Sequence, residues 1–118
     1  MKNSQKLQPW KIGGDTYIVR EDNTIDDENL DGKIVIARRE ISITSRSLEN
    51  DLHFVDCILH ELNHGILDFM NVEFENGAEE DRICESVAHI TKMIMADNIE
   101  SIRAILNVLE AQNMKGKK

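Results

Sequence analysis

The sequence predicts an α+β domain, with a small N-terminal antiparallel sheet of about three strands followed by about three helices. Two patterns carry this prediction. In the first half, short β-prone runs are separated by turn-forming residues. In the second half, apolar residues recur at i, i+3, i+4 and i+7. A third observation is the size of the chain: 118 residues, 41% hydrophobic and 31% charged. That is one domain, residues 1–118, with enough apolar material for a core without disulfides. The two ends, residues 1–11 and 113–118, are expected to be flexible.

The strands come first. Thr16-Tyr17-Ile18-Val19 follows the Gly13-Gly14 turn signal. Residues 21–32, EDNTIDDENLDG, read as an acidic loop, and their spacing does not match a calcium-binding EF-hand. Lys33–Ala37 and Glu40–Thr44 flank Arg38-Arg39 and suggest a hairpin. Ile41 and Ile43 point to one face of the second run, Ser42 and Thr44 to the other.

The helices follow. Ser47 is the expected N-cap of a helix reaching about Met70, with Val55, Ile58, Leu59, Leu62, Ile66 and Phe69 on its apolar face. Residues 71–78 read as a linker. A second helix is expected from near Glu79, with the apolar stripe Ile83, Val87, Ile90 and Ile94. Asp97-Asn98 reads as a break before a third helix carrying Ile99, Ile102, Ile105, Leu106 and Leu109 on one side.

Charge narrows the function classes. A formal net charge of −8 argues against direct nucleic-acid binding and against a polybasic membrane surface. No apolar run approaches the roughly 18 residues that span a bilayer, and MKNSQKLQPWKIGG has no signal-like apolar segment. A cytoplasmic location with reduced Cys57 and Cys84 is therefore expected.

The strongest motif is His60-Glu61-Leu62-Asn63-His64, an H-E-x-x-H inside the first long helix. At about 100° per residue, His60 and His64 lie about 40° apart, so both imidazoles can hold one ion. Zn²⁺ fits two His and one carboxylate, with an open position for water. Glu61, beside the pair, is placed to act as general base. Two histidines need a third ligand. The downstream acids are Glu73, Glu75, Glu79, Glu80, Asp81 and Glu85. Glu85 sits mid-helix beside a seam of small residues, Cys84 and Ala88, that permits close helix approach. Glu79 and Glu80 remain alternatives, although acids in a first turn are also explained by the helix dipole.

His60-Glu61-x-x-His64 followed by Glu85-Ser86-Val87-Ala88-His89 resembles the HExxH…ExxAN arrangement of ImmA/IrrE-type zinc metallopeptidases and their small phage-encoded relatives. The resemblance spans roughly residues 12–98 and is specific in the two helices. It implies a zincin-like fold, Glu85 as third zinc ligand, and hydrolysis of a protein or peptide substrate such as a repressor. At His89 the family has Asn or Asp. There the resemblance implies support for a ligand from behind, and His89 also stands as an alternative ligand. The alternative function is a non-catalytic, metal-stabilised protein-binding module. His53 lies on the same helical face, but about 10 Å up the axis from His60, too far to share its metal, and reads as a surface histidine. Cys57 and Cys84 read as small buried hydrophobes.

Overall fold

The computed structural model describes residues 3–116, and side-chain environments from 4 to 115. The element order is α1 (Asn3–Lys6), β1 (Trp10–Ile12), β2 (Asp15–Glu21), β3 (Gly32–Val35), β4 (Glu40–Ile43), α2 (Ser45–Glu49), α3 (Asp51–Phe69), α4 (Gly77–Asp97) and α5 (Ile99–Gly116). The α+β class expected from the sequence is the one observed. No helix among the described residues is long and apolar enough to cross a membrane.

The sheet differs from expectation in two ways. It has four strands in the order β1-β2-β4-β3, and the β2–β4 pair is parallel. The extra strand, β1, is made by Gly13 and Gly14. Both have positive φ, 59° and 99°, so a two-residue turn folds Trp10–Ile12 back onto β2. The parallel pair arises because β3 takes the outer edge and β4 returns between β3 and β2. Arg39, at φ 52°, closes that β3–β4 hairpin. Being central, β4 is buried on both faces: Ser42 is covered as well as Ile41 and Ile43, and so is Thr44 just beyond the strand.

The N-terminal segment is also more ordered than expected. Lys6 is buried, and its ammonium donates to the Leu48 carbonyl and pairs with Asp51. The acidic loop carries a short 3-10 turn, Asn23–Glu28, that buries Ile25 and is capped by Asp22, which accepts from the Thr24 N–H. At the other end, α5 continues to Gly116, through most of the tail expected to fray. Residues 117 and 118 lie outside the described residues.

Ser47 is not the cap of the long helix. It is buried inside α2, and the cap is Asn50, whose side chain accepts from the His53 N–H at 3.0 Å. Asn76 caps α4 in the same way through the Glu79 N–H, starting it two residues earlier than expected. The core lies between the sheet and α3, built from Tyr17, Val19, Ile41, Ile43, Leu48, Phe54, Ile58 and Leu62.

Helix α4 docks on α3 through its small residues. Cys84 and Ala88 are its buried positions, as the seam in the sequence suggested. Val87, Ile90 and Ile94 consequently lie about half exposed. On α5, Ile99, Ile105, Leu106 and Leu109 are similarly exposed.

Candidate metal centre

Helix α3 positions three of the five residues singled out for chemistry. Its apolar side packs on the sheet at Phe54, Ile58 and Leu62, which turns His60 and His64 toward α4. Gly65 allows the close approach: a Cβ there would meet Ile12 Cδ1 at 2.7 Å and Ile34 Cδ1 at 3.2 Å.

His60 Nε2 and His64 Nε2 lie 3.2 Å apart. Asp81, at the start of α4, places Oδ1 2.8 Å from His64 Nε2 and 3.5 Å from His60 Nε2. In tetrahedral zinc with N and O ligands, the ligand–ligand edges are about 3.3–3.5 Å. The three atoms therefore converge as a ligand set does, with one edge drawn in to hydrogen-bond length. Among the described residues, His60, His64 and Asp81 form a group that could hold a metal ion. Glu80 Oε2 lies 2.5 Å from His64 Nδ1, the far side of the same ring. A carboxylate there fixes the tautomer and orientation of a metal-binding imidazole.

The carboxylate that the fold places beside the two histidines is thus Asp81, where Glu85 was expected. Asp81 joins the two histidines, while Glu85 lies one turn further along α4, exposed, lining a cavity beside them. The physical reason is register. Asn63 Nδ2 donates to the Cys84 carbonyl at 3.1 Å, which sets Asp81, not Glu85, level with His64. Asp81 was visible in the sequence only as one of several downstream acids, and its one distinguishing signal was that it precedes Glu85 by a single helical turn. Of the alternatives, Glu80 supports His64 and Glu79 accepts from the Glu75 N–H at the helix start. His89 is exposed and lines the cavity, but belongs to neither metal-competent group among the described residues.

Glu61 is buried, at 8% exposure. The Ile34 N–H of β3 donates to its carboxylate, and Oε2 lies 3.4 Å from where a Gly32 Cβ would be. Burial pushes its carboxyl above the usual range, and nearby His60 and His64 pull it back toward ionisation. Two cavities meet at this group. One of about 670 Å³ extends past His53, Cys57 and Glu85, and one of about 360 Å³ extends past Lys33, His64 and Asp68. His60, Glu61 and Asp81 line both.

Comparisons with protein-family models, curated proteins and solved structures return no match for this chain. The resemblance to ImmA/IrrE-type metallopeptidases accordingly rests on the residues of α3 and α4 alone.

Proposed function

We propose that the protein is a zinc-dependent peptidase in which His60, His64 and Asp81 hold the ion and Glu61 is the general base. The observation that carries this reading is Glu61. A site built only to hold a metal has no use for a buried carboxylate beside two ligand histidines, since burying it has a cost. Bound zinc would supply an acidified water and polarise a carbonyl. With the ion held there, Glu61 would be placed to take up a proton as general base and return it to the leaving amine. The Ile34 N–H holds the carboxylate in place for both steps. Glu80 keeps the His64 ring aligned.

The surroundings support a peptide as the substrate class. The two cavities flank the site on either side, a layout suited to an extended chain passing it. β3 is an edge strand, and an edge strand can pair with an added peptide strand. A segment of a protein is therefore the proposed substrate, in keeping with the repressor-like target that the family resemblance implies.

One feature favours the non-catalytic alternative, a metal-stabilised binding module: the half-exposed apolar residues of α4 and α5. The test separates the two. Zinc-loaded protein and its Glu61→Gln variant are incubated with a degenerate peptide library, and fragments are identified by mass spectrometry. Cleavage by the wild type is expected, with a loss of about 100-fold or more in the variant at equal zinc content. Full zinc occupancy with no cleavage by the wild type refutes the peptidase reading in favour of the binding module.

A further inference from the structure

We propose that Asp31, His53 and Cys57 form a second metal site, of the zinc class, in the same cavity as the first. His53 and Cys57 are i and i+4 on α3, so their side chains stand on one face of the helix. Asp31 comes from the loop that precedes β3. His53 Nε2 lies 3.3 Å from Asp31 Oδ2 and 3.5 Å from Cys57 Sγ. With zinc bonds of about 2.0–2.1 Å to nitrogen and oxygen and about 2.3 Å to sulfur, tetrahedral edges are about 3.3 Å for N···O and about 3.5 Å for N···S. Both observed edges match. One ligand atom of each residue lies within 4.8 Å of the other two.

The surroundings prepare the three atoms. Arg46 takes only one oxygen of Asp31, with Nη2 at 2.7 Å and Nε at 2.9 Å from Oδ1, leaving Oδ2 turned to His53. Cys57 is buried, and its S–H donates to Ser47 Oγ at 3.8 Å. A ring nitrogen has one in-plane direction, so a single Nε2–H cannot point well at both Oδ2 and Sγ. An ion between the three atoms satisfies all of them at once. The mixture of imidazole, thiolate and one carboxylate selects zinc-like ions over calcium or magnesium, which prefer oxygen.

The site is distinct from the first. His53 and His60 are seven residues apart, about 10 Å along the helix axis. That exceeds the roughly 4 Å spacing of two ions that share one reacting group. Both sites face the larger cavity, which is lined by Asp31, His53, Cys57, His60, Glu61 and Asp81 among others.

Cobalt titration of the metal-free protein tests this. Co²⁺ bound to thiolate gives an intense near-ultraviolet charge-transfer band, which imidazole and carboxylate ligands do not. The wild type is expected to take up two equivalents and show the band. Cys57→Ser and His53→Ala are expected to lose the band and one equivalent. His60→Ala is expected to lose the other equivalent and keep the band, so the two sites fail separately. Saturation of the wild type without a thiolate band overturns the proposal, whether or not Cys57→Ser folds. A band that survives Cys57→Ser overturns it too, because the sulfur would then be that of Cys84.

Discussion

Replacing the acids of α4 one at a time ranks their distance from the metal. Asp81→Asn removes a carboxylate 2.8 Å from His64 Nε2 and 3.5 Å from His60 Nε2. Glu80→Gln leaves the three ligand atoms in place but replaces the carboxylate 2.5 Å from His64 Nδ1. Losing an outer partner of this kind lowers metal affinity about 10- to 100-fold, or about 1.4–2.8 kcal/mol. Asp81→Asn, which removes a ligand, should exceed about 100-fold. Glu85→Gln removes only a charge in solvent. Acting only through solvent and salt, an exposed charge of this kind is worth about 1 kcal/mol or less, roughly fivefold at most. Competition for Zn²⁺ against a chromophoric chelator at 0.15 M salt measures all three. The expected order of loss is Asp81, then Glu80, then Glu85. A larger loss in Glu85→Gln than in Asp81→Asn refutes the observed helix register and restores the ligand that the family resemblance implies.

Two further outcomes test the fold. Lys6→Ala should cost about 1–3 kcal/mol in urea unfolding, because it leaves the Leu48 carbonyl without its charged donor; no change would contradict the anchoring role of Lys6. Burial pushes the Cys84 thiol from 9.0 up to about 11, so the unfolded chain gives up this proton first. The stability that this group contributes is complete below pH 9 and falls as pH rises toward 11. Cys84→Ala should therefore flatten the decline in melting temperature between pH 9 and 11, and an unchanged slope would contradict the shift.

His60, Glu61 and His64 were readable because one helix holds all three, and helical periodicity is local. The hairpin at Arg39 and the helix break at Asn98 were readable for the same reason. The third carboxylate was not. Asp81 and Glu85 share a face of α4, and only the packing of α4 on α3 decides which one meets the histidines. Asp31 escaped notice similarly, since the loop before β3 reaches His53 only through the tertiary fold. The parallel β2–β4 pair joins segments about twenty residues apart, with β3 lying outside them, and no periodicity encodes that order. The apolar stripe of α4 was read correctly as a stripe. Its direction was set instead by the small residues Cys84 and Ala88, which let the backbones come close and turned the larger side chains outward.

The hydrogen bond from Asn63 to the Cys84 carbonyl makes the choice of carboxylate beside the two histidines a question of gearing. Asp81 and Glu85 are teeth of one rack, one pitch apart, or about 5.4 Å. Sliding α4 along α3 by a single pitch exchanges a short carboxylate for one that is a methylene longer and more mobile. The amide that blocks this slide occupies the fourth position of H-E-x-x-H, which the motif leaves unspecified. In this chain, a position without a prescribed residue type meshes the two helices and so selects which carboxylate the two histidines meet.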